Sequence, residues 1–450
     1  MSAIAVPAFA LTWWLACYLL GRDPHRPALR RAAAALAAYA LAIAAWTIAP
    51  DSAAAQVMLC VPALLWAGAA IGLLPQDLPE LRQINRGWLV VSAIFLVMVI
   101  ALPAAGRLVA LAPLAGGLVL LWRFRDAVRP RLLPVAAAVV SGLYAVGLLG
   151  VLGPFVMGSP ILVLAAIGLD LMVLGYLVAV ADAVDAGERL HPDLRRSAAG
   201  AAAATLLCGG PAALTTLAAP GVTAVVVLQF VVVAVVLSMV GLAGPVRRGL
   251  DHLAFLHDDR LRLDRAALMM SAEALPRRRE RHRLISTSQD EFVRLTRRAL
   301  DDYGDIGRLL RSPLIDLPTV DRRLTRPAAE QPLARALELR AVLQESIARL
   351  KPDGLFGTTE EWRHYNALHF CCVLGLRPYD RQPNTEGLDR DGRRALEWFR
   401  RYVPAGSLRQ WQMDGSRLVA ERLWGELVRT DPRWLTHAAA AKRTSTTRST

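Results

Sequence analysis

The sequence predicts an all-α protein in two parts: a polytopic transmembrane bundle of about nine helices, followed by a cytoplasmic all-helical domain. Three observations carry this. Hydrophobic residues make up 54% of the 450-residue chain and mean hydropathy is +0.36, too apolar for a soluble globular protein or a disordered one. Charge is segregated, with 14 Lys/Arg and 10 Asp/Glu up to Val246 and 38 and 28 beyond it. No alternating apolar–polar run is long enough for a strand, whereas helix caps and 3.6-period stripes recur.

Nine apolar segments approach the ~20 residues that a bilayer crossing needs. They are Ala3–Leu20, Ala32–Ile48, Ala55–Leu74, Trp88–Pro103, Leu108–Trp122, Leu132–Leu152, Ile161–Ala181, Ser197–Leu217 and Val222–Leu242. The first lacks the basic leader of a signal peptide and precedes eight more, so it reads as a retained span. The fifth is the shortest. Assigning successive loops to alternate sides places 13 arginines on one side: Arg22, Arg26, Arg30, Arg31, Arg82, Arg86, Arg123, Arg125, Arg129, Arg131, Arg189, Arg195 and Arg196. The other side holds only Arg107. The positive-inside rule makes the crowded side cytoplasmic, with the N-terminus outside and the C-terminal part inside. Of 52 basic residues only Lys351 and Lys442 are lysines, a usage expected of a GC-rich bacterial genome and hence of a bacterial plasma membrane. The outer loops are short, so an external ligand would have to enter the bundle.

Within the spans, Trp46, Trp88 and Trp122 sit at helix ends, where interfacial tryptophans belong. Trp13, Trp14 and Trp66 lie deeper and read as helix–helix packing, with lipid or chromophore contact as the alternative. Asp170 is the one ionisable side chain well inside a span, and a carboxylate in hydrocarbon is a functional candidate by default. Gln229, in the ninth span, enters from the same side to a similar depth, and the two are expected to hydrogen-bond. Asp182, Asp185, Glu188 and Asp193 follow at the inner end of the seventh span, as a solvated loop or as a dock for the cytoplasmic part.

The stretch GLDLMVLGYLVAVADAVDAGERLHPDLRRS, with EFVRLTRRALDDYGDIGRLLRSPL, EEWRHYNALHF and LGLRPY further on, resembles uncharacterised multi-pass membrane proteins of GC-rich bacteria. The resemblance implies membership of that group and no activity.

Pro245 closes the bundle, so the first domain is 1–245. A juxtamembrane helix, Val246–Leu275, has too poor a heptad for a signalling coiled coil, and with the basic loop PRRRERHR (Pro276–Arg283) it makes a linker, 246–287. Arg277, Arg278 and Arg279 in that loop are candidate contacts for anionic lipid or nucleic acid. The cytoplasmic domain, 288–430, opens on a capping box, Ser288 with Glu291, followed by the apolar stripe Phe292, Leu295, Ala299, Leu300 and Tyr303, with Gly304 as C′ residue. Helices are expected near Asp305–Arg311, Thr319–Leu324 and Leu333–Leu350. Thr358 and Glu361 make a second box, opening a helix to about Val373. Asp391–Val403 and Ser407–Val428 close the domain before a low-complexity tail, 431–450.

No phosphate-binding glycine loop, nucleophile elbow or metalloprotease motif occurs, and the histidines lack the setting of a sensor kinase, so no reaction and no cofactor is indicated. His364, His369, Cys371 and Cys372 lie on one helix at a spacing that matches no common zinc pattern, so no metal site is assigned. The five cysteines form no CxxC pair or disulfide framework. The last two helices, turned at Pro404–Gly406, look like a helix-turn-helix, with Arg409, Gln410 and Gln412 able to reach base edges or a partner; an αα-hairpin is the commoner meaning. The expected function is an integral membrane sensor or regulator, its partners the lipid bilayer and a cytoplasmic protein. The alternatives are a transporter, against which stands the lack of repeated halves, and a membrane-tethered DNA-binding regulator.

Overall fold

The computed structural model describes residues 2–50, 52–74, 80–125, 130–153, 159–188, 190–211, 223–244, 287–325, 331–380 and 388–430, with isolated residues between. The expected juxtamembrane helix, the PRRRERHR loop with Arg277, Arg278 and Arg279, Pro245 and the C-terminal tail lie outside the described residues. Two compact units emerge: Met1–Val184 with Leu190–Asp258, and Asp185–Arg189 with Asp259–Thr450. Among the described residues all regular structure is helical.

The first unit has the make-up of a multi-pass membrane protein, with eight helices long and apolar enough to cross a bilayer. They are α1 (Ser2–Arg22), α2 (Pro27–Ile48), α3 (Ala53–Gly72), α4 (Leu81–Ala101), a 3₁₀ turn at Ala104–Ala110 running into α5 (Leu111–Arg123), α6 (Leu133–Leu152), α7 (Pro160–Ala186) and, after α8, α9 (Thr223–Gly241). The 3₁₀ turn is what gives the short fifth segment its length: the span runs Ala105–Arg123. The eighth expected segment is seen only in part. Its helix, α8, starts earlier than expected at His191, runs to Ala204 and passes into a π turn at Thr205–Gly209; residues 212–222 lie outside the description.

Small residues bring these helices together, since lipid gives apolar side chains no reason to prefer each other over acyl chains. The alanines Ala32, Ala35, Ala40 and Ala42 of α2 are fully buried, and α2 lies against both α1 and α3. At Gly21 the backbone of α1 meets that of α9 so closely that a Cβ would stand 2.4 Å from the Gly241 carbonyl oxygen. One at Gly241 would stand 2.5 Å from Cys17 Cβ. Polar ties fix the register. Ser52 caps α3, its hydroxyl accepting from Ala55 N–H at 3.2 Å. Trp88 of α4 donates to the Leu64 carbonyl at 3.0 Å, and the Arg31 guanidinium covers its ring at 4.2 Å. Arg107, the lone basic residue of its side, is itself buried and donates to Gln56 and, at 3.2 Å, to the Val99 carbonyl near the end of α4.

In the second unit the helices are α10 (Gln289–Asp301), α11 (Ile306–Arg311), α12 (Pro318–Arg323), α13 (Pro332–Ala348), α14 (Arg363–Leu368), α15 (Arg390–Tyr402) and α16 (Ala405–Thr430). Ser288 caps α10 as expected, accepting from Glu291 N–H at 3.3 Å. Phe292, Leu295, Ala299, Leu300 and Tyr303 are all buried, packed with Leu339, Leu343 and Ile347 of α13 and Val419 and Leu423 of α16. A smaller core joins Ala395, Leu396 and Phe399 of α15 to Phe370 and Leu408.

Two local expectations differ from the structure. Gly304 is not left-handed: positive φ is confined to Gly187, Gly354 and Gly375 among the described residues, and α10 ends at Asp301, well before it. The second box does not form either. The chain enters α14 through a 3₁₀ turn, Glu360–Trp362, whose Thr359 cap makes no side-chain bond. Asp305 and Asp389 supply caps that composition did not single out, accepting from Arg308 and Gly392 N–H at 3.0 and 2.7 Å.

Candidate functional site

The longest helix of the bundle, α7, carries charge at three levels. Near its start the helix is held by Tyr39 of α2, whose buried hydroxyl donates to the Leu164 carbonyl. Gly168 makes room for that ring, which a Cβ would approach to 3.0 Å. Two residues on, Asp170 is half-buried, and no hydrogen bond or ion pair joins it to a described residue. Gln229 is 4% exposed and its Oε1 has no hydrogen-bond partner, so the structure does not join the two. The reason lies on α9, which turns towards α1 instead. Phe230 meets Phe9 edge-on at 4.9 Å, and Trp13 donates to both the Ala234 carbonyl and Ser238 Oγ at 3.0 Å. Equal depth does not specify which way a helix faces.

The second level is an ionic network that composition presents as loop charge. The Arg22 side chain is 1% exposed at the end of α1. Its Nε donates to Asp182 Oδ2 of α7 at 3.0 Å, and its Nη1 lies 3.5 Å from Asp193 Oδ2 of α8. Tyr18 donates to the same Asp193 oxygen at 2.9 Å, and Arg26 stands 3.9 Å from Asp182. Three helices are therefore tied by charges withdrawn from solvent, a state tolerated only while each charge keeps its partners.

The third level falls in the second unit, which takes in Asp185–Arg189 at the end of α7. There Asp185 pairs with Arg294 of α10 at 3.8 Å, and the buried Glu188 with Arg311 of α11 at 3.4 Å. Between them Gly187 has φ +68°, the left-handed cap that ends helices. A Cβ there would come within 2.6 Å of Pro313 Cγ and 3.1 Å of Leu295 Cδ2.

The other candidates of the second unit are arranged differently. His364 receives Arg363 Nε–H on Nε2 at 3.1 Å and has the Trp411 carbonyl 3.3 Å from Nδ1, so both ring nitrogens are engaged. His369 stacks on Tyr365 at 5.0 Å. Burial pushes the Cys371 thiol up to about 12, and Cys372 higher still. Both stay protonated at neutral pH, which disarms them as nucleophiles and metal ligands. No group of three metal-ligating side chains occurs among the described residues. On α16, Arg409 and Gln410 are exposed, Gln410 donating to Asp414 at 3.1 Å. Gln412 is half-buried and bonded to Cys371, while Trp411 stacks on Trp398 of α15 at 5.8 Å.

No protein-family model matches the chain, and no curated protein or solved structure shows significant similarity to it.

Proposed function

We propose that this protein is an integral membrane sensor or regulator, in which α7 carries a change in the bundle to a cytoplasmic helical output domain. One observation supports it above the rest. A single continuous helix bears the intramembrane Asp170 and the Asp182 lock, and its last residues belong to the compact unit that holds α10 and α11. A rotation or small slide of α7, of the 1–2 Å size common in switching proteins, would strain both sets of ion pairs together. The arginine asymmetry supports an outside N-terminus and a cytoplasmic second unit in a bacterial plasma membrane.

Asp182→Asn in the full chain, reconstituted in nanodiscs, tests the reading. Amide exchange in Gln289–Asp301 and Ile306–Arg311 should accelerate, although both lie over a hundred residues away. Exchange that changes only in α1, α7 and α8 would overturn it.

A second reading, output through nucleic acid, is favoured by α15. Its Arg390, Arg393, Arg394, Arg400 and Arg401 are all exposed, and none forms an ion pair with a described residue. Retention of the full chain on duplex DNA, weakening steeply with salt, is its test.

A further inference from the structure

Three deep tryptophans sit in the bundle, and two have hydrogen-bond partners. Trp13 donates to α9, and Trp14 to Ser197 Oγ at 3.0 Å. Trp66 of α3 is 4% exposed, yet its Nε1 has no partner among the described residues. An indole N–H shut away from water without an acceptor is costly. It lies on a narrow cleft of about 340 Å³ of empty space, walled by Leu121 of α5, Ala137 and Ser141 of α6, and Leu174 and Val178 of α7. These walls are almost wholly apolar and offer the indole nothing to bond.

We infer that this cleft is a binding site for a slim, lipid-soluble molecule carrying a carbonyl oxygen, which accepts from Trp66 Nε1 while its chain lies along Leu121, Leu174 and Val178. The wall chemistry selects the class. A water molecule needs two or more polar partners, and beside Trp66 only the Ser141 hydroxyl could supply a second. A charged or multiply polar ligand would leave its other groups unpaired. Trp66 is 13 residues into α3, about 20 Å from the helix start at 1.5 Å per residue. That is well inside a hydrocarbon core of about 30 Å, so the ligand enters from the bilayer. A fatty acyl carbonyl and an isoprenoid quinone share this chemistry. The site rests on the proposed function in one respect: two of its walls belong to α7, between Asp170 and Asp182, so occupancy would press on the helix proposed to carry the signal.

The experiment uses the full chain in nanodiscs with two photoreactive probes, a fatty acid and a short-chain quinone, each bearing a diazirine on the chain. Crosslinks mapping to α3 around Trp66 and to α7 around Leu174–Val178 are expected. Labelling by one probe and not the other names the source. Trp66→Phe keeps the ring bulk and removes the donor, and should weaken labelling roughly five- to tenfold, the worth of one buried hydrogen bond. Ala137→Leu, which fills the cleft, should abolish it. Labelling spread over lipid-facing helices such as α4, or unchanged by both variants, would overturn the site and leave a bound water as the cleft's occupant. Binding with no change of exchange in α10 and α11 would instead keep the site and count against the sensor reading alone.

Discussion

The two units of the chain cohere by different physics. In the second, every major helix has an apolar face and a charged one. Phe292, Leu295 and Ala299 of α10 are buried, while Asp290 and Glu291 on the same helix are exposed or half-exposed, so expulsion from water drives assembly. In the first, the outer faces are as apolar as the inner ones. On α4, Val90, Val97 and Ile100 are 60%, 66% and 60% exposed. Side-chain character therefore cannot tell a helix which face to bury. Close backbone approach at Gly21 and Gly241, and single polar ties such as Trp13 to Ser238, take over that task. The same substitution should consequently act with different size, or opposite sign, in the two units.

The largest effects are expected at the two buried guanidiniums. Arg335 of α13 is 2% exposed, pairs with Asp316 at 3.3 Å and Asp321, and donates to the Ile315 carbonyl at 2.8 Å. Arg335→Met strands the buried Asp316 and should cost about 3–5 kcal/mol, read as lost exchange protection across the second unit. Arg22→Met should cost the first unit a similar amount, because it strands Asp182 and Asp193. Restoring neutrality with Asp182→Asn and Asp193→Asn should recover most of it. A loss below about 1 kcal/mol for Arg22→Met would mean that the network behaves as a solvated surface pair, and the comparison would fail on that point.

A smaller pair of effects differs in sign. Gly241→Ala places a methyl against Cys17 and should destabilise the first unit by about 1–3 kcal/mol, the usual cost of overpacking. Gly406 lies in the first turn of α16, where a Cβ meets nothing within 4 Å. Gly406→Ala should stabilise the second unit by a few tenths to about 1 kcal/mol, by narrowing the unfolded ensemble. Thermal unfolding of the full chain in detergent, followed by exchange in each unit, checks both. Two changes of the same sign would show that the units do not differ in this respect.

These contrasts explain what could be read from the residues alone. The spans, their apolar lengths and the face of α10 follow from local periodicity, and the Ser288 cap from a four-residue pattern. The Arg22–Asp182–Asp193 network does not, because its members lie 160 and more positions apart and each alone looks like an ordinary loop charge. The Asp170–Gln229 pair failed for a related reason. Depth along a helix is countable from the residues, but the direction a side chain faces depends on partners, and in an all-apolar helix no periodicity reveals it. Trp66 is the same case inverted: three deep tryptophans looked equivalent until two proved bonded. The caps at Asp305 and Asp389 had a legible signal, an acidic residue directly before each helix, that could have been weighed.

The smallest expected effect belongs to pH, and it falls on the second unit. His369 starts the π turn His369–Val373, half-buried against Tyr365. Burial holds its pKa below the ordinary imidazole value; Lys351 acts in the same direction and Asp389 opposes them. The folded ring therefore resists the proton that the unfolded chain accepts near pH 6.5. Folding stability should be level above that pH and fall as pH drops below it, until the depressed folded value is also passed. In the full chain, exchange protection of Arg363–Leu368 should weaken between pH 7 and about 5.5, and His369→Gln should remove that slope while leaving the behaviour of α1 and α9 untouched. The first unit has no described histidine within its spans, so an equal loss of protection in α1 and α9 over the same interval would point to a titration elsewhere and break the distinction between the units.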